Sequence, residues 1–163
     1  MASTPAHTTK ADIKTLLNVI ANDPSEERLG HALTVAQWDV LAAYMQPMEM
    51  AAGRILIAQG AEDRTLYFVE SGMLTVHFED AAGKIRLAAV GAGTVIGEGG
   101  FFSRMARSAT VQTGSACKLW TLSPMRFSEL ANRQPTVALS LAMALGAIMA
   151  RRMVSNRKKI AIT

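Results

Sequence analysis

The sequence predicts a mainly β fold with flanking helices, and three observations carry that prediction. Short β-prone segments recur between Met48 and about Leu122: Ile55–Ile57, Leu66–Val69, Leu74–Phe78, Ile85–Val90, Ser108–Gln112 and Lys118–Leu122. Turn residues separate them, at Gly53, Gly60, Gly72, Asp80–Gly83, Gly91-Ala92-Gly93 and Gly114. On either side of this region the apolar residues follow helical spacing instead. Short strands with turn signals about every ten residues read as an all-β sandwich or barrel. The architecture expected is an eight-stranded antiparallel jelly-roll-like β-roll with N-terminal helices and a long C-terminal helix. The divisions expected are 1–47 for an N-terminal arm and helices, 48–122 for the roll, and 123–163 for C-terminal helices.

Each helix has its own signal. Residues 1–9 are small and polar and form an arm. From Ala11 to Asn22 the spacing of Ile13, Leu16, Leu17 and Ile20 is helical, and Asp23-Pro24-Ser25 breaks it. Leu29–Leu33 reads as a short helical piece. Thr34-Val35-Ala36-Gln37 has the form of a capping box, which starts a helix through Trp38, Leu41, Ala42 and Met45 that stops before Pro47. Ser123 and Pro124 cap and open a helix carrying Phe127 and Leu130. The last helix, from Thr136 to about Arg157, is apolar almost all round, with Val137, Leu139, Leu141, Met143, Leu145, Ile148, Met149, Met153 and Val154. Such a helix must be covered on more than one side. One side can rest on the roll, and the other can meet the N-terminal helices or the same helix of a second copy. Arg151-Arg152 and Arg157-Lys158-Lys159 read as the solvated cationic end of that helix.

Composition narrows the classes. A chain of 163 residues, 50% hydrophobic and 18% charged, can bury one proper core and is not a disordered chain. A net charge of +4 is too small to argue for nucleic acid without a patch. The single cysteine, Cys117, excludes an intrachain disulfide and reads as strand packing. The N-terminus lacks the apolar core of a signal peptide, and the run Thr136–Ala150 is shorter than the roughly 20 residues of a bilayer span. No membrane span and a cytoplasmic protein are therefore expected. The three histidines, His7, His31 and His77, do not form a metal cluster, and no nucleophile constellation, phosphate-binding P-loop or dinucleotide fingerprint is present. No enzyme, catalytic cofactor or metal is expected, and His77 reads as an ordinary strand residue.

Functional chemistry concentrates in residues 95–111. Gly97, Gly99 and Gly100 surround one carboxylate, Glu98. Glycines let backbone N–H groups approach a ligand closely, and a helix opening there presents free donors to an anion. Nine positions after Glu98 come Arg107 and Ser108, a guanidinium with a neighbouring hydroxyl, which suits a phosphate. By themselves these features also fit a glycine-rich turn with a surface ion pair.

Gly97-Glu98 followed by Arg107-Ser108-Ala109-Thr110-Val111 resembles the phosphate-binding cassette of cyclic nucleotide-binding domains. Residues 53–60, 66–76 and 91–98 are similar to the first strands and the turn that lead to that cassette, so the likeness runs over about residues 48–130 in register. The sequence departs from the family pattern at Ala106, where Pro is usual, and at Gly99 and Gly100, where larger residues are usual. The resemblance implies a β-roll with an N-terminal helical bundle and a cyclic nucleotide, cAMP or cGMP, inside the roll. In that reading Arg107 pairs the cyclic phosphate. Backbone groups near Gly99, Gly100 and Ser108, within the Gly97–Ala109 cassette, add donors, and the Ser108 hydroxyl adds another. Glu98 accepts from the ribose 2′-OH. Val76, Leu87, Val90 and Ile96 wall the sugar and base. The C-terminal helix acts as lid and transmitter, toward a second copy or an effector protein. Many bacterial relatives carry a DNA-binding helix-turn-helix after the long helix; the chain to Thr163 has no room for one, so either a stand-alone sensor or a fragment of a larger regulator, channel or kinase is expected. The alternative expectation is a roll that no longer binds ligand and serves as an interaction or dimerisation module.

Overall fold

The computed structural model of the chain describes residues 10–24, 29 and 32–161. Of the expected helical piece at Leu29–Leu33, residues 30 and 31 lie outside them. In chain order the elements are α1 (Lys10–Asn22), α2 (Val35–Ala42), β1 (Gln46–Met50), β2 (Ile55–Ile57), β3 (Leu66–Ser71), β4 (Leu74–Glu79), β5 (Ile85–Val90), β6 (Val95–Ile96), α3 (Glu98–Ser103), β7 (Thr110–Thr113), β8 (Cys117–Leu122), α4 (Pro124–Arg133) and α5 (Pro135–Ala161). The strands form two antiparallel four-stranded sheets, β1-β8-β3-β6 and β2-β7-β4-β5. This is the expected β-roll of eight strands flanked by helices.

The local signals act as read. Thr34 accepts from the Gln37 N–H at 3.2 Å, and the Gln37 side chain accepts from the Thr34 N–H at 2.9 Å, closing the capping box. Ser123 caps α4, with Pro124 in its first turn. The helix α2, however, ends at Ala42, short of the expected Met45, and Pro47 lies inside β1 rather than ending the helix. β1 is an edge strand of its sheet, where the missing N–H is tolerated.

Two apolar layers follow from the alternation of side chains along the strands. Between the sheets lie Ile57, Tyr67, Val69, Leu74, Ile96, Val111, Cys117 and Leu119. On the outer face of the first sheet, Leu66, Phe68, Trp120 and Leu122 pack against helical residues including Ile13, Leu16, Trp38, Leu41, Leu130, Leu141, Leu145 and Ile148. β3 is therefore covered on both faces, which explains its unbroken apolar run. Glu70 is also buried there. It accepts from the Trp120 indole N–H at 2.7 Å and lies 3.6 Å from Lys118 Nζ.

Helix α5 is buried on one side only, through Val137, Ala138, Leu141, Ala144, Leu145 and Ile148. Leu139, Met143, Met153 and Val154 are more than half exposed. Its apolar stretch does not stop at Ala150: Pro135–Ser155 is long and apolar enough, by length and composition, to cross a membrane. The sequence reading stopped short because Arg151 and Arg152 interrupt the run, although the helix continues through them.

Candidate functional site

The glycine-rich stretch turns sharply at the end of β6. Gly97 has φ +88°, and a Cβ placed on it would lie 2.8 Å from both Arg107 Nη1 and the Thr65 carbonyl. Only glycine fits that conformation and that space. The short helix α3 follows, anchored by Phe101, whose ring stands edge-on to Phe127 at 5.2 Å. It ends at Arg104, the one described non-glycine residue with positive φ (58°). The returning chain is tied to the loop after β2: the Arg107 N–H donates to Ala61 O at 2.7 Å, and the Gly60 N–H donates to Arg107 O at 2.8 Å.

The result is a cavity of about 460 Å³, with Gly97, Glu98, Gly99, Gly100, Arg107, Ser108 and Ala109 on its polar side. Ile57, Val76, Ala88, Val90, Ile96 and Val111 supply the apolar wall, and Arg152 and Ser155 of α5 complete the lining. That volume falls in the range of small-molecule sites, roughly 300–1,000 Å³. Every residue read from the sequence as part of the site lies here except Leu87. Leu87 pairs with His77 on the opposite face of the second sheet and is 69% exposed. The wall residue on β5 is its neighbour Ala88; with a period of two, a slip of one position moves a side chain from the inside to the outside. His77 is itself on that outer face, with its ring nitrogen Nε2 3.0 Å from Thr75 Oγ1.

Arg107 is buried, with its side chain only 3% exposed. Its Nε and Nη2 donate to Asp63 Oδ2 at 3.1 and 2.9 Å, Nη2 donates to Thr65 O at 2.6 Å, and Nη1 donates to Gly97 O at 2.9 Å. A guanidinium has five N–H groups. Among the described residues four of them have partners, which leaves one, on Nη1. Burial works to raise the Asp63 carboxyl, but the Thr65 backbone N–H, Arg107 and the Thr65 hydroxyl together hold it below the ordinary carboxylate value. The nearby Tyr67 phenol is pushed up, first by burial and then by the charge of Asp63.

Glu98 is the second charged group of the polar side. Its Oε1 accepts a hydrogen bond from Arg152 Nη1, and Arg152 Nη2 donates to Val95 O at 2.9 Å. The side chains of Glu98 and Arg152 are 13% and 22% exposed. The cavity is thus bordered by two arginine–carboxylate pairs, one inside the roll and one joining the roll to α5. Sequence reasoning missed Asp63, Arg152 and Ser155. Arg152 read as part of a solvated basic end, yet the roll covers it. Asp63 had no local signal, because its partner is 44 positions away.

A family model described as the cyclic nucleotide-binding domain matches residues 47–134. The chain is similar to the cAMP-activated global transcriptional regulator CRP of Escherichia coli O6:H1, at 35% identity over 64% of this chain and 49% of that protein. It is also similar to part of Glutaminase 2 of Bradyrhizobium diazoefficiens, at 34% identity over 67% of this chain and 17% of that protein. The chain thus spans half or less of these two relatives' lengths. Among solved structures, a cyclic nucleotide-binding domain from Methylobacillus flagellatus superposes with a TM-score of 0.80 at 20% identity, covering 93% of this chain and 83% of the other.

Proposed function

The chain belongs to the cyclic nucleotide-binding domain family, and from that premise we propose that it is a regulatory sensor that binds cAMP or cGMP in the cavity between its sheets. The observation that carries this reading is the arrangement of that cavity: Glu98, Arg107, Ser108 and the glycines at its polar side, an apolar wall opposite, and α5 at its rim. Arg107 supplies the charge for the cyclic phosphate. With one N–H left over, it acts mainly through its field and a single hydrogen bond, and the backbone donors of the first turn of α3 and the Ser108 hydroxyl complete the recognition. Glu98 keeps Oε2 for the ribose 2′-OH while Oε1 faces Arg152. Val76, Val90 and Ile96, with Ala88 in the place expected of Leu87, contact sugar and base. A relative whose name records activation by cAMP supports the ligand class.

The output runs through α5. Its C-terminal part meets the cavity through Arg152 and Ser155, so a ligand that engages Glu98 shifts the balance of that helix. The outward face of α5 supports a homodimer. Leu139, Met143, Gly146, Ala150 and Met153 are all exposed and alternate in steps of four and three, the spacing of a two-helix seam. A second copy, or an effector protein, in the cytoplasm is the proposed partner, and the proposed role is non-catalytic.

A second reading has one observation in its favour. Asp63 already neutralises Arg107, as an anion would, so the roll is complete without ligand and could serve only as an interaction module. Calorimetry with cAMP and cGMP on the full chain and on Arg107→Ala separates the two. A charged hydrogen bond is worth about 1.5–3 kcal/mol, so the sensor predicts binding weakened at least about tenfold in the variant. No heat and no thermal shift with either nucleotide would establish the second reading.

A further inference from the structure

The two sheets have four edge strands, and three of them are blunted. β1 contains Pro47 and Glu49, β6 is two residues long, and β2 is three residues long with a register break between Ile55 and Ile57. Pro, charge, bulges and short length are the means by which proteins stop an open edge from pairing with another chain. β5 has none of these except one charge. It is six residues long and pairs with β4 without a break, from Ile85 opposite Glu79 to Val90 opposite Leu74. β7 occupies the other side of β4, and among the described residues no strand lies beyond β5. The strand contains no proline, glycine or carboxylate. Its outward residues are apolar as well: Ile85 is 60% and Leu87 69% exposed, where a sheet with one wet face ordinarily carries polar side chains.

We propose that β5 pairs with β5 of a second copy, antiparallel across a twofold axis, so that two four-stranded sheets become one. The strand's own pattern selects this occupant. In a twofold pairing centred on Leu87, Ile85 stands opposite the partner's Ala89 and Arg86 stands opposite the partner's Ala88. On the outer row Leu87 meets the partner's Leu87 at the axis and Ile85 meets a small residue on either side of it, and the single charge does not meet its like. A charged foreign peptide would find only one complementary position along the strand. This contact uses the open edge of β5, whose inward residues Ala88 and Val90 line the cavity, and it is separate from the α5 seam, so oligomeric state tests it without any nucleotide.

The test is sedimentation of the full chain over about a hundredfold range of concentration, since self-association follows mass action, with hydrogen exchange on the same samples. The variants are Leu87→Lys, which places a charge on an exposed position of the edge, and Met143→Glu, which places one on the α5 face. With Met143→Glu blocking the helix seam, a dimer is expected to persist, and adding Leu87→Lys is expected to return it to monomer. The β5 amides not bonded to β4 are expected to exchange at least about tenfold more slowly at the high end of concentration. A monomer throughout would overturn the proposal. So would self-association that Met143→Glu abolishes and Leu87→Lys leaves unchanged, or β5 amides whose exchange ignores concentration.

Discussion

Two arginines border the same cavity, and they are held in different ways. Arg107 sits within the roll, and each of its partners, Asp63, Thr65 and Gly97, belongs to the roll too. Arg152 projects from α5, and its hydrogen bonds to Glu98 of α3 and Val95 of β6 reach across to the roll. The first pair is part of the frame: it can attract a ligand but has little freedom to move toward one. The second is a joint between frame and helix, and it sits on the carboxylate that we propose meets the ribose. A ligand can therefore bias the second pair far more readily than the first.

The strongest way to break this contrast is Arg107→Ala. Its removal leaves the half-exposed Asp63 to water but takes the donor from the carbonyls of Gly97 and Thr65, a cost of about 2 kcal/mol, or about 4–8 °C in Tm for a chain of this size. Nucleotide affinity should fall together with stability, and a variant that melts like the parent would remove Arg107 from the frame. Arg152→Ala should act locally. Global melting should change little, while amides in the last turns of α5 exchange about tenfold faster, the loss of one charged hydrogen bond of at least 1.5 kcal/mol. Equal loss of protection throughout the roll would show that the joint is part of the frame as well.

A smaller effect should appear in acid. The carboxyl of Asp63 lies below its unfolded value of about 3.9 because Thr65 and Arg107 favour the charged form over the opposing effect of burial. Its contribution is present above that value and is lost as pH falls through the lower folded one. Asp63→Asn removes it, so the variant should be less stable at neutral pH and show a flatter decline below about pH 4. Because the Asp63 side chain is 44% exposed, the difference should be modest. Parallel acid-melting curves for the two proteins would count against the pairing. The smallest effect should come from Gly99→Ala. Nothing lies within 4 Å of a Cβ there, in contrast to Gly97. In the helix α3 the change should raise stability by about 0.5–1 kcal/mol, and a lowered Tm would show that the first turn needs its glycine.

These contrasts separate what was legible in the chain from what was not. The capping box at Thr34, the Ser123-Pro124 start of α4 and the turn residues that bound six of the eight strands act between near neighbours, so residue type and spacing reveal them, whereas β1 and the two-residue β6 were not named in advance. The cassette was legible for the same reason: Gly97, Glu98 and Arg107 lie within one short segment, and the left-handed turn at Gly97 needs a residue that can be named in advance. The helix α5 was legible too, from Thr136 to about Arg157, and only its apolar run was read short, to Ala150, because Arg151 and Arg152 interrupt it without ending the helix.

What only the tertiary structure decided were matters of partner and of face. Asp63 reaches Arg107 across 44 positions and Arg152 reaches Glu98 across 54. No local pattern encodes either pair, because each depends on where the sheets bring distant segments. Leu87 and Ala88 are both apolar, and only the register of β5 against β4 turns Ala88 to the cavity and Leu87 to the surface. The same holds for α5, whose composition is apolar nearly all round. Packing against the roll and the other helices covers Leu141, Leu145 and Ile148 and leaves Leu139 and Met143 facing outward. Sequence determined the local conformations and the chemistry of the cassette, because these rest on short-range sterics and hydrogen bonding. Tertiary structure decided which charges meet and which apolar faces stay open, because these rest on contacts between segments far apart in the chain.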